Sequence, residues 1–133
     1  LNSRAVALEA DALAPPPLRM QNFDLIACNP PYITEAECKT LDKSVRDWEP
    51  MLALDGGEDG LVFYRSVLQN WKSVLKDGGW IIFEVGEGQA ADVRALLLEA
   101  GFHNLGCTLD TLGTERVIYA QKKKPIPTDS EEM

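Results

Sequence analysis

Residues 23–28, Phe-Asp-Leu-Ile-Ala-Cys, form an almost unbroken apolar run that stops at Asn29, Pro30 and Pro31. A strand with one wet face alternates apolar and polar residues, whereas an unbroken run suits a strand covered on both faces in a parallel sheet. Neither proline can donate a ladder hydrogen bond, so the strand must end there. A parallel neighbour needs a crossover, and the chain supplies one. Tyr64, Val67, Leu68, Trp71, Val74 and Leu75 recur at helical spacing, Asp77-Gly78-Gly79 closes that helix, and residues 80–85 follow as a second buried strand.

The remaining segments extend the pattern. Val6 and Leu8 alternate with small or polar neighbours ahead of Glu9-Ala10-Asp11, which predicts a short strand with an acidic end, stopped by Ala14-Pro15-Pro16-Pro17. Residues 33–60 show no sustained period and read as a long loop with a short helix over 35–41, ending in the glycine-rich run Gly56-Gly57-Glu58-Asp59-Gly60. Residues 89–100 predict an amphipathic helix with Val93, Leu96 and Leu97 on one face and Gly101 as its cap. Residues 105–112 and 116–121, joined by Gly113-Thr114-Glu115, predict an antiparallel strand pair. The expected fold is therefore α/β, with helices on the faces of a sheet that is parallel until its last pair. Ligands of such sheets bind at the carboxyl ends of the strands, where Asn29 is expected.

Composition narrows the field. A chain of 133 residues with 45% apolar and 26% charged residues is the size and make-up of one domain. Its longest apolar runs fall far short of the roughly 20 residues that span a bilayer, so no membrane crossing is expected. The Leu-Asn-Ser-Arg start lacks both an initiator Met and an export signal, which suggests a cytoplasmic chain cut from something longer. Cys28, Cys38 and Cys107 show no metal-site spacing, and His103 is the single histidine. Reduced thiols are expected, with no metal and no disulfide framework. A net charge of −8 argues against nucleic acid as the direct substrate. The lysine run at 122–124 and the polar residues to Met133 read as a solvated, disordered tail.

Asn29-Pro30-Pro31-Tyr32 carries the chemistry. An amide or exocyclic amine is a weak nucleophile because its lone pair is delocalised, but its protons become acidic as the nitrogen forms a new bond. It needs hydrogen-bond acceptors that orient it. The Asn29 side-chain oxygen and the Pro30 carbonyl can each accept one amine hydrogen, Pro31 stiffens the turn, and Tyr32 offers a flat face to a planar group.

This tetrapeptide is shared by methyltransferases acting on adenine, cytosine and glutamine nitrogens. With Ile33, Glu49-Pro50, Ala53-Leu54, Gly56-Gly57-Glu58-Asp59-Gly60-Leu61, Tyr64-Arg65, Gly79 and Glu115-Arg116, the chain resembles the HemK/PrmC family of protein-glutamine methyltransferases over residues 6–121. The resemblance implies part of a Rossmann-like class I methyltransferase sheet, with residues 1–121 as the C-terminal portion of a catalytic domain and 122–133 as a tail. It implies S-adenosyl-L-methionine as cofactor and the glutamine of the Gly-Gly-Gln loop of a peptide chain release factor as substrate. Asn29, Pro30 and Tyr32 would be catalytic, Asn29, Pro30, Pro31, Tyr32, Glu49 and Pro50 would surround the substrate, and Asp11 with Asn29 would face the cofactor.

The family's glycine-rich cofactor loop and N-terminal helical domain have no counterpart in the chain, and its first strands are missing. The isolated chain is therefore expected to bind cofactor weakly or not at all. One edge of residues 23–28 should be left bare, to be covered by residues 6–8 or by a second copy. Two other readings stand beside this one: an adenine methyltransferase on DNA or RNA, and an inactive binding fragment.

Overall fold

The computed structural model describes residues 4–30 and 60–124. Its elements are β1 (Phe23–Cys28), a helical segment opening with α1 (Val62–Ser66), then β2 (Leu75–Glu84), α2 (Ala90–Glu99), β3 (Phe102–Leu109) and β4 (Glu115–Lys122). The four strands lie in the order β1-β2-β4-β3. β1 and β2 are parallel, while β4 runs antiparallel to both β2 and β3. The parallel pair and the closing antiparallel pair thus follow the sequence pattern.

The crossover helix changes pitch along its length. Its α-helical turn Val62–Ser66 continues as a π turn, Val67–Trp71, and a 3-10 turn, Lys72–Val74, before the chain becomes extended at Leu75. The freed carbonyls at this end are met by one amine: Lys122 Nζ donates to the carbonyls of Lys72 at 3.1 Å and Leu75 at 2.6 Å. Lys122 therefore belongs to β4 and to the helix terminus, one residue inside the span expected to be tail. The Asp77-Gly78-Gly79 turn falls inside β2 as an irregularity. Phe23 pairs with Leu75 but Leu25 with Trp80, so residues 76–79 bulge out of the ladder, with Gly78 at φ 82°.

Register and alternation assign the two faces of the sheet. Ile81, Phe83, Ile118 and Ala120 share one face and are fully buried. They form a single core with Tyr64, Val67 and Leu68 of the crossover segment, Val93 and Leu97 of α2, and Phe102. Each such side chain taken from water contributes about 1.5–3 kcal/mol. The opposite face carries Leu25 and Ala27 of β1, Trp80 and Ile82 of β2, and Val117 and Tyr119 of β4. There the Tyr119 ring leans on Trp80, with centroids 6.1 Å apart, and covers Gly106, where a Cβ would lie 2.3 Å from the ring. None of these residues is buried, and Phe23 and Leu25 of β1 remain 44% and 49% exposed.

Two expectations fail here. Residues 6–8 form no strand; Val6 and Leu8 are 82% and 63% exposed. A strand is held by a neighbour's backbone groups, and this segment makes no ladder with any described strand. β1, whose apolar run predicts cover on both faces, leaves Phe23, Leu25 and Ala27 exposed, and among the described residues it is an edge strand paired only with β2, as the missing first strands imply. α2, with Gln89 before it and Gly101 (φ 88°) after it, lies where its apolar period places it.

Candidate active site

Because β1 and β2 are parallel, both deliver their carboxyl ends to one edge of the sheet, with Cys28 opposite Phe83. Asn29 follows there and is exposed, while Pro30 behind it is buried. The buried proline anchors the backbone from which the exposed Asn29 amide projects. Pro31, Tyr32, Glu49 and Pro50 lie outside the described residues.

The end of β2 beside Asn29 is pinned by two side chains. Tyr64, fully buried and edge-on to Phe83 at 5.1 Å and 85°, donates its hydroxyl to the Glu84 carbonyl at 2.7 Å. Gln89 accepts the Gly86 N–H at 3.0 Å through Oε1 and donates through Nε2 to the Gly60 carbonyl at 3.3 Å. Gly60, the last residue of the glycine-rich run, is thereby tied to the turn that follows β2. Sequence reasoning treated Tyr64 as one more apolar helix position and Gln89 as a helix boundary. A buried tyrosine must find a partner for its hydroxyl, and that requirement was the available signal.

Asp11 does not end a strand. Its Oδ1 accepts the Leu13 N–H at 2.8 Å and its carbonyl accepts the Ala14 N–H at 3.0 Å, a side-chain-nucleated turn. The crossover helix holds this turn from outside. Ser66 Oγ donates to the Ala12 carbonyl at 2.8 Å and Trp71 Nε1 to the Ala14 carbonyl at 3.0 Å, with Asn70 Nδ2 donating to Ser66 Oγ at 3.1 Å. Asp11 Oδ2 accepts no hydrogen bond from the described residues, so an exposed carboxylate oxygen remains for a hydroxyl or amine of a ligand. Asp11 and Asn29 are carried by different elements, the first by the helix and the second by β1, and no hydrogen bond joins them.

Titratable groups near this edge limit the chemistry. Burial pushes the Cys28 thiol up to about 11, so the residue just before Asn29 stays a neutral thiol at ordinary pH rather than a nucleophile. Glu115 on β4 is held below its usual value chiefly by the hydrogen bond from Arg94 of α2. Among the described residues no cluster of His, Cys, Asp and Glu could hold a metal, and no helix is long and apolar enough to cross a membrane.

No family model matches the chain. Relatives do. It is 43% identical over 122 residues to the release factor glutamine methyltransferase of Clostridium botulinum, covering 92% of this chain and 43% of that protein. The namesake of Geobacter sulfurreducens is 44% identical over 102 residues, covering 77% and 36%. That of Caulobacter vibrioides is 40% identical over 122 residues, covering 92% and 42%. A solved release factor-specific protein-(glutamine-N5) methyltransferase from Alicyclobacillus acidocaldarius overlaps 90% of this chain and 100% of that one at 19% identity, with a TM-score of 0.43, too low to carry an argument. The chain spans less than half the length of the curated relatives it matches. Identity above 40% across some nine-tenths of the residues, with Asn29 at the carboxyl edge of a parallel strand pair, places the chain in the release factor glutamine methyltransferase family.

Proposed function

We propose that the protein to which this chain belongs transfers a methyl group from S-adenosyl-L-methionine to the side-chain amide nitrogen of the glutamine in the Gly-Gly-Gln loop of a peptide chain release factor, in the cytoplasm. The observation that carries this reading is the pairing of an exposed Asn29 with a buried Pro30 where β1 leaves the sheet. The kinship with enzymes named for that reaction supports it.

Residues 1–121 serve as the part of the catalytic domain that binds the substrate group. Asn29 Oδ1 and the Pro30 carbonyl accept the two amide hydrogens and turn the nitrogen lone pair toward the methyl donor. As that lone pair enters a new bond the hydrogens become more acidic. The two acceptors then interact more strongly than in the ground state, which is where a rate gain arises. Pro31 and Tyr32 shape the pocket, with Glu49 and Pro50 beside the substrate loop. S-adenosyl-L-methionine, when bound, supplies an electrophilic methyl group. The described residues suit it in one respect: Asp11 presents an unengaged carboxylate oxygen on a turn fixed by Ser66 and Trp71.

The test uses a protein of the full length of the relatives, with release factor, DNA and RNA as separate substrates and mass spectrometry of the product. Methylation of the release factor glutamine is expected. Asn29→Ala should lower kcat by about 10²–10³ without changing the melting temperature, the scale of losing one well-placed polar contact to the transition state. Methylation of nucleic acid alone, or an Asn29→Ala rate equal to wild type, would overturn the assignment.

A further inference from the structure

We infer that the β3–β4 hairpin tip is a docking element for the folded protein substrate, through Leu112 and Leu109; this rests on the release factor reading. β3 and β2 both run antiparallel to β4, so the turn at residues 110–114 leaves the sheet at the same edge as Asn29. β4 and β3 lie two and three strands from β1, about 10–14 Å across at ordinary strand spacing. A glutamine amide alone offers few contacts, whereas a protein partner covers about 800 Å² of surface. A patch of that size centred near Asn29 reaches the hairpin.

The tip is apolar and rigid together. Leu112 is 88% exposed and Leu109 59% exposed. Asp110 Oδ1 accepts the N–H groups of Leu112 at 2.8 Å and Thr114 at 3.0 Å, and Oδ2 accepts Arg116 Nε at 3.0 Å. The Asp110 N–H donates to the Thr114 carbonyl at 2.8 Å, and Gly113 closes the turn at φ 82°. Arg94 of α2 pairs with Glu115 at the base of the hairpin. Here the leucine's own backbone is fixed, so the ordering cost of an apolar anchor is met before any partner arrives. The charges around it are paired, Asp110 with Arg116 and Glu115 with Arg94, which suits an uncharged concavity on a folded protein rather than a phosphate backbone.

Steady-state kinetics of the full-length protein on intact release factor test the inference, with Leu112→Ser and Leu98→Ser compared against wild type. Leu98 is 61% exposed near the end of α2, toward the opposite edge of the sheet, and serves as the control. Leu112→Ser should raise KM about tenfold, the effect of removing a central apolar anchor, with kcat and melting temperature unchanged. Leu98→Ser should leave both constants unchanged. An unaltered KM in Leu112→Ser, a loss confined to kcat, or an equal KM rise in Leu98→Ser overturns the hairpin assignment while the reaction stands. A wild type inactive on release factor sinks the functional reading itself, and this inference with it.

Discussion

Tyr64 shows how much of the site rests on residues that touch no substrate. Its hydroxyl meets the part-buried Glu84 carbonyl, and Glu84 closes the strand beside Asn29. Removing the hydroxyl leaves that carbonyl without this donor, which costs about 1–2 kcal/mol for a buried group. Tyr64→Phe should therefore lower the urea midpoint with an unchanged m-value, and a midpoint equal to wild type would show that the bond contributes nothing net. Asn29 and Pro30 could be recognised from sequence because an Asn-Pro-Pro-Tyr turn after an apolar run is local. Gln89 could not: Gly86 and Gly60, which its side chain bonds, are brought to it by β2 and by the entry to α1. Asp11 was recognised as an acidic position but assigned to the wrong local structure, since its turn is held by Ser66 and Trp71 more than fifty residues away.

At the level of elements, the β3–β4 hairpin carries a pH dependence that follows from one carboxylate. Backbone N–H groups of Thr114 and Leu112 and the Arg116 guanidinium hold Asp110 below its ordinary value of 3.8, the Thr114 bond contributing most. A depressed carboxylate stabilises the folded turn fully above its ordinary value, and that stabilisation is lost as pH falls through the lowered folded value. The protection factors of the Leu112 and Thr114 amides, taken against their intrinsic exchange rates, should thus be level above about pH 5 and should fall only in stronger acid. Asp110→Asn should remove that dependence; if the exchange profile of the variant matched wild type, Asp110 would not be the group responsible. The hairpin and α2 were readable because turn glycines and a 3.6-residue period are local signals. The start of β2 was not, because its bulge at residues 76–79 comes from pairing Leu75 with Phe23, a contact between distant segments.

Among the described residues the sheet has one packed face and one half-exposed face. Both helices bury the side of the sheet bearing Ile81, Phe83 and Ile118, while Leu25, Trp80, Ile82 and Tyr119 look out from the other beside an edge strand. An apolar edge strand beside a half-exposed apolar face is a template for association. This chain alone should show a weight-average mass that rises with concentration toward about 100 µM in sedimentation, and Leu25→Lys should suppress the rise. A strictly monomeric wild-type chain would contradict that. The sequence by itself determined the α/β class, the parallel crossover, the closing antiparallel pair and the strand end at Asn29-Pro30, because periodicity and turn residues act over a few residues. Only the tertiary structure decided that residues 6–8 stay outside the sheet of the described residues, and that Tyr64, Gln89 and the Leu112 hairpin gather at the edge Asn29 occupies. Those outcomes depend on which distant backbone groups and apolar faces are present to be paired, and no local pattern records that.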